Sequence, residues 1–133
     1  MTIQNHSFQL RSEPHSSGLV LRVADPPDEM EPLCRVVETA WTCDPVSLLT
    51  SLARREGRAF EGVASYAYYE QDPSELEPGV NLSYFDRDQV VDEDFFRDYV
   101  LKYARLVLEQ ARDQAVSLSW PARLPDEVRR LLE

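Results

Sequence analysis

The sequence predicts an α+β domain in which helices pack on a mainly antiparallel sheet, with the element order ββααββαβα. One long stretch has the period of an amphipathic helix, and several short runs alternate apolar and polar residues as half-buried strands do. The chain has 133 residues, of which 43% are hydrophobic. That is enough to bury one core, so a single domain over residues 1–133 is expected.

The long helix is predicted over residues 90–114. Apolar residues recur there at steps of three and four, and charged residues recur in the same way on the opposite side. The inward set is Phe95, Phe96, Tyr99, Val100, Tyr103, Leu106, Val107 and Ala111. Asp92 suits the N-cap, and Glu93 and Asp94 place negative charge at the positive end of the helix dipole. We expect this helix to pack on the sheet.

Residues 7–11 and 18–24 alternate in the manner of strands, and the turn between them contains Pro14. They predict an N-terminal hairpin, followed by a solvated loop over 25–32, which is rich in proline and acid. Helical spacing from Leu33 to Trp41 then predicts a first helix.

A second helix follows directly, with Asp44 as N-cap, Pro45 at its first position and Gly57 as its terminating residue. The nearby arginines, Arg54, Arg55 and Arg58, are interpreted as complementing the negative end of its dipole.

Three further strands are predicted, over residues 58–70, 80–85 and 115–120. The first two are expected to pair as an antiparallel hairpin with a long charged tip, and Gly62 to mark a bulge or a close approach. Residues 86–88 are read as a connection to the long helix. A short C-terminal amphipathic helix is expected after Pro125, with Val128 turned inward.

Charge limits the classes of partner. The chain has 14 basic and 24 acidic residues and a net charge of −10. Such a surface repels phosphate, so neither nucleic acid nor an anionic membrane is an expected partner. A basic protein is the natural one, and simple solubility is the alternative. The sequence shows no signal peptide and no bilayer-spanning apolar run, which predicts a soluble, cytoplasmic protein.

No metal site is predicted. Asp86 and Asp88 stand where a calcium loop has its first and third ligands, but Val91 occupies the glycine position and Arg97 the bidentate glutamate position. We therefore interpret Asp86 and Asp88 as loop acids that precede the acidic first turn of the long helix.

No catalytic residue and no cofactor is predicted either. His6 and His15 lack cysteine or carboxylate partners at ligand spacing and are read as surface residues. Cys34 and Cys43 do not match a redox or zinc pattern, and the four glycines form no phosphate-binding motif. With these sites excluded, the sequence favours a function in which the protein surface binds another protein.

The predicted partner-binding residues combine tyrosine with carboxylate, since the ring supplies contact area and the charges steer association. They are Tyr69, Glu70, Asp72, Glu75, Glu77, Asp86 and Asp88. The two groups are expected to lie at the same end of the strand pair, as neighbouring connections or across its edge. The alternative is that strand tyrosines are half-buried sheet residues and that acidic loops are merely solvated.

In size, charge and layout, and in the strand-to-helix run NLSYFDRDQVVDEDFFRDYVLKYARLVLEQA, the chain resembles the immunity proteins of bacterial polymorphic toxin systems, including contact-dependent inhibition and type VI effectors. The resemblance covers the whole chain without a diagnostic motif. It implies a non-enzymatic cytoplasmic inhibitor that binds a cognate toxin or effector protein, often a basic nuclease, without a cofactor.

Two other functions stay open. Secretion-type chaperones are also small, acidic and α+β, although they usually begin with a helix and dimerise. The oligomeric state of this chain does not follow from its sequence. An enzyme with an unrecognised carboxylate site would need acids such as Glu61 and Glu70 to converge on a pocket.

Overall fold

The structure, a computed structural model, describes residues 10–15 and 18–133, the first of these segments by its backbone. It confirms the α+β class. The helices and strands are, in chain order, β1 (Leu10–His15), β2 (Gly18–Val23), α1 (Glu31–Cys43), α2 (Pro45–Arg54), β3 (Arg58–Phe60), β4 (Ala64–Tyr68), β5 (Val80–Tyr84), β6 (Arg87–Val91), α3 (Glu93–Asp113) and α4 (Asp126–Leu132).

The strands form an antiparallel pair, β1 with β2, and an antiparallel four-stranded sheet in the order β3-β4-β5-β6. The predicted pairing of the strand at 80–85 with the one before it is confirmed, with Tyr66 opposite Leu82. Strand β4 alternates as a half-buried strand should: Ala64, Tyr66 and Tyr68 are buried, and the residues between them are not. The helices therefore cover one face of this sheet.

The long helix packs as its period predicts. Its buried residues include the predicted Phe96, Tyr99, Val100, Tyr103 and Val107. The ring of Phe96 lies 5.1 Å from that of Tyr66, so the helix packs directly on the sheet. The buried residues of both sheets and all four helices belong to one hydrophobic cluster.

Tyr103 also binds the backbone of β2. Its hydroxyl accepts a hydrogen bond from the Leu21 amide at 2.9 Å and donates one to the Leu21 carbonyl at 2.5 Å. These two backbone groups lie on the edge of β2 that faces away from β1. Because buried backbone groups must find partners, this hydroxyl takes the place of a neighbouring strand.

Side chains of α1 bind the same edge of β2 two residues further along, at Val23. The buried carboxylate of Glu38 accepts a hydrogen bond from the Val23 amide at 2.7 Å. Arg35 donates to the Val23 carbonyl at 3.1 Å and pairs with Glu38 at 2.8 Å. The outer edge of β2 is thus satisfied by side chains from two helices.

Helix α2 begins as predicted, because the Asp44 carboxylate accepts a hydrogen bond from the Val46 amide at 3.0 Å. Its predicted end at Gly57 is wrong. Arg55 is the C-cap, with a left-handed φ of 55°. Gly57 is needed for another reason: a Cβ there would lie 2.5 Å from the Tyr66 carbonyl oxygen, so only glycine allows β4 to approach.

Two strand predictions in the first half of the chain need correction. The predicted first strand at 7–11 is β1 at Leu10–His15, and residues 7–9 lie outside the described segments. A free sheet edge tolerates proline, so Pro14 belongs to the strand rather than to the turn. The predicted strand at 58–70 is two strands, because Glu61 and Gly62 take positive φ values of 53° and 72° and reverse the chain.

The second half of the chain differs at two further places. Residues 86–88 were predicted as a connection, but β6 begins at Arg87, and α3 starts only at Glu93. Asp92 holds the N-cap position without a side-chain hydrogen bond to the helix. The strand predicted at 115–120 is wrong, since those residues pair with no strand and lead into a short 3-10 helix, Trp120–Arg123. Trp120 is buried in the helical part of the core instead.

We predict that Phe96→Ala lowers the free energy of unfolding by about 3–5 kcal/mol, because it leaves a cavity in a fully buried site. Urea unfolding at equilibrium measures the change. Asp98→Ala, on the exposed side of the same helix, is the control and should stay within about 0.5 kcal/mol of wild type. Equal stability of the two variants would show that the buried face is misassigned.

Tyr103→Phe should lower the free energy of unfolding by about 1–3 kcal/mol, because the Leu21 amide and carbonyl would both lose their partner while the ring still fits. Thermal and urea unfolding measure this. Tyr84→Phe removes a half-buried hydroxyl from β5 and serves as the matched control. If both variants were as stable as the wild type, the Tyr103 hydroxyl would not support β2.

Candidate functional site

The turn between β5 and β6 presents an aromatic side chain to solvent. The turn consists of Phe85 and Asp86, flanked by the paired residues Tyr84 and Arg87. Phe85 has a φ of 54° and is 65% exposed. Its ring lies 4.7 Å from that of Tyr84 in edge contact, and its amide donates to the Val63 carbonyl at 2.7 Å. Contacts on both sides thus hold Phe85 in a conformation that bulky residues rarely adopt.

The loop before α1 is fastened to the same hairpin. Arg87 pairs with Glu31 at 2.6 Å and donates to the Asp28 carbonyl at 2.8 Å. The side-chain amide of Gln89 donates through its nitrogen to the Glu29 backbone carbonyl and accepts through its oxygen from the Leu33 amide at 3.2 Å. The loop is therefore held against the hairpin, although more than fifty residues separate the two in sequence.

The hairpin and the loop before α1 together form a surface region that exposes four acids and two apolar side chains. Asp28, Glu29, Asp86 and Asp88 are exposed, and none has an ion pair within the described part of the chain. Over the same residues, the exposed large hydrophobic side chains are Phe85 and Val90, and Val90 lies on β6. We call this surface the acidic tip: Asp28, Glu29, Phe85, Asp86, Asp88 and Val90.

The other group of predicted partner-binding residues is the one around Glu70. The carboxylate of Glu70 already forms an ion pair within the protein. Arg55 contacts Glu70 at 3.0 Å and Glu93 at 2.6 Å, and it lies 5.6 Å from the centre of the Tyr68 ring. Its hydrogen bonds to the carboxylates of Glu93 and then Glu70 raise the pKa of Arg55. The Glu70 backbone amide and then Arg55 lower the pKa of Glu70. Arg55 therefore does more than complement the dipole of α2.

Asp72, Glu75 and Glu77 follow in an exposed loop with its own hydrogen bonds. The Asp72 carboxylate accepts from Ser74 at 2.8 Å, and the Glu77 amide donates to the Asn81 side chain at 3.1 Å. This loop brings exposed acids together as predicted, but without an exposed large apolar side chain. Tyr69 is half-buried in the 3-10 turn Tyr69–Gln71.

The two groups of predicted residues lie at opposite ends of β5. Val80, at the start of β5, pairs with Tyr68 beside the Glu70 loop, whereas Tyr84, at its end, pairs with Arg87 beside Asp86 and Asp88. The expectation that both groups share one end is wrong, because β6 returns the chain along β5 before the long helix begins. They are two separate candidate surfaces.

The tyrosines next to the Glu70 loop are largely structural. Tyr66 and Tyr68 are each 2% exposed and pack on Phe96. Burial raises the pKa of Tyr66 to about 12, and its hydroxyl is hydrogen-bonded to that of Ser51. Of the three tyrosines in this stretch, only Tyr69 has side-chain surface to offer a partner.

The structure does not bring the acids of the alternative carboxylate site together. Glu61 lies in the turn before β4 and Glu70 follows the end of β4. A pocket of about 130 Å³ beside Tyr68 is lined by Arg55 and Arg97, but both guanidinium groups already have acidic partners. Over residues 10–15 and 18–133, no group of three or more histidine, cysteine or acidic side chains could hold a metal ion.

Comparison with known protein families, with curated proteins and with solved structures finds no match for this chain. None of the helices described is both long enough and apolar enough to cross a membrane.

Phe85→Gly should leave the free energy of unfolding within about 1 kcal/mol of wild type. Glycine removes the left-handed strain, about 1–2 kcal/mol. It also loses an aromatic contact of about 0.5–1.5 kcal/mol, so the two effects largely cancel. Urea unfolding is the measurement, with Phe96→Ala as the destabilised reference. A loss of several kcal/mol would show that Phe85 is a structural residue and not a free surface group.

Proposed function

We propose that this protein is a non-enzymatic cytoplasmic binding protein, an immunity protein that neutralises a basic protein toxin by covering part of its surface with the acidic tip. The observation that supports this most is the composition of that surface. Phe85 and Val90 lie on one hairpin, among acids that have no ion pair within the described residues.

Charge supplies the first part of the argument. The net charge of −10 favours a positively charged partner. Unpaired carboxylates concentrated on one surface raise the rate at which such a partner meets that surface. Acids that already have arginine partners, as Glu70 has, contribute less to this field.

The apolar residues supply the second part. Binding energy at interfaces is concentrated in a few large side chains that become buried on association, and acids around them act mainly on rate and orientation. Phe85 fits the first role because it projects from the turn.

Neutralising the hairpin acids should slow association. We predict that Asp86→Asn with Asp88→Asn lowers the association rate of the protein encoded by the neighbouring gene and flattens its salt dependence, while the dissociation rate changes little. Phe85→Gly should instead speed dissociation by about tenfold or more. Surface-based binding kinetics at several salt concentrations separate the two effects.

The quadruple variant Glu70→Gln, Asp72→Asn, Glu75→Gln and Glu77→Gln is the matched comparison, because it removes charge at the other end of β5. If it slows association and the hairpin variants do not, the Glu70 loop is the interface and the acidic tip is not. If the partner binds the hairpin variants and the quadruple variant at the wild-type association rate, the acids serve solubility and the proposal fails.

A further inference from the structure

The free edges of the two sheets differ in how they are closed. The outer edge of β2 is hydrogen-bonded by Tyr103, Glu38 and Arg35. β1 carries Pro14, which has no amide hydrogen to offer a new strand. β3 is only three residues long. Capping, proline and shortness are the usual ways in which proteins protect sheet edges.

Among the residues that the structure describes, β6 has none of these three protections. It is five residues long, contains no proline and is the end strand of the four-stranded sheet over the residues described. Hydrogen-bonded pairs alternate along an antiparallel ladder, starting with the pair that flanks a two-residue turn. That pair is Tyr84 and Arg87, so Gln89 and Val91 also face β5. The backbone groups of Asp88 and Val90 therefore point away from the sheet.

These outward groups are accessible. Asp88 and Val90 are both exposed, and no side chain in the described segments hydrogen-bonds to their amides or carbonyls. The side chains of Arg87 and Gln89 bind the loop before α1 and hold the strand in place. A preformed strand with open donors and acceptors is a template for pairing with another extended chain.

The negative charge around the outer edge of β6 determines which kind of extended chain can pair with it. A second copy of this protein would bring Asp86, Asp88 and Asp92 close to their own counterparts, and like charges across paired strands are destabilising. An extended segment rich in lysine or arginine would meet opposite charge instead. Phe85, in the turn that precedes β6, adds an apolar contact for such a segment.

We propose that a basic, extended segment of the partner adds to β6 as a further strand of the sheet. This inference rests on the proposed function and specifies how the partner is held. The backbone of Asp88 and Val90 supplies the hydrogen bonds, and the acidic tip supplies the charge that admits basic segments.

Val90→Pro isolates the backbone contribution. Proline removes the outward amide hydrogen of residue 90 but no hydrogen bond to β5, and edge strands accept proline at such positions. Val90→Thr keeps the amide hydrogen and the branched side chain and is the matched control. Thermal unfolding should show that both variants remain folded, and the amide resonances of β5 report whether the hairpin is intact.

The probe is a short synthetic peptide of alternating lysine and valine, titrated into the whole protein and followed by amide NMR. We expect it to shift the Asp88 and Val90 resonances of the wild type and to bind Val90→Pro about tenfold more weakly than Val90→Thr, as the loss of one hydrogen bond implies. The same peptide N-methylated at alternate residues should bind weakly, and one with glutamate in place of lysine should not bind.

The outcomes separate this inference from the proposed function. If the lysine peptide shifts the acidic tip but binds Val90→Pro and the wild type equally, recognition uses side chains only, so strand addition is wrong and the proposed function stands. If neither the peptide nor the neighbouring gene's product affects the acidic tip, both fail. If Val90→Pro disrupts β5, N-methylation of the peptide decides the question instead, and equal binding of the methylated peptide would overturn the proposal.

Discussion

The requirement that buried backbone groups be hydrogen-bonded organises this fold around the outer edge of β2. A two-stranded pair has two free edges, and here one of them is buried against helices. Tyr103 satisfies both polar groups of Leu21, and Glu38 with Arg35 satisfies those of Val23. These contacts fix α3 and α1 relative to β2, and therefore relative to the larger sheet on which both helices depend. Leaving such groups without partners would cost more than the bonds themselves contribute.

Much of the fold follows from local sequence signals. The period of α3 identifies its buried face because a helix on a sheet has one apolar side, and Asp44 with Pro45 marks the start of α2 because that chemistry is local. The strand predicted at 115–120 fails because alternation reports burial on one side and not a hydrogen-bonded neighbour. Val116 and Leu118 pack on the core without pairing. β6 escapes prediction because its turn contains Phe85 and Asp86 and not the glycine that usually signals a tight hairpin.

The candidate site is less predictable, because it depends on which distant segments meet. The sequence places most of these acids correctly outside the strands, but Asp88 lies in β6. It does not reveal that Arg55 pairs with Glu70, or that Gln89 binds the Glu29 backbone and holds the loop before α1 against the hairpin. Nor does it indicate that Phe85 and Val90 remain exposed, since Phe85 falls in the predicted strand at 80–85 and Val90 in the predicted helix at 90–114. These facts arise from tertiary pairing over long separations, which local propensity does not encode.

The contrast between a closed edge at β2 and an open edge at β6 is the central claim, and amide hydrogen exchange of the isolated protein tests it most directly. The Leu21 and Val23 amides should exchange slowly, through their bonds to Tyr103 and Glu38, as should Gln89 through its bond to β5. The Asp88 and Val90 amides should exchange rapidly although the residues on either side of them are protected. Slow exchange at Asp88 and Val90, comparable to that of Gln89, would contradict an open edge. Rapid exchange at Leu21 and Val23 would contradict the closed one.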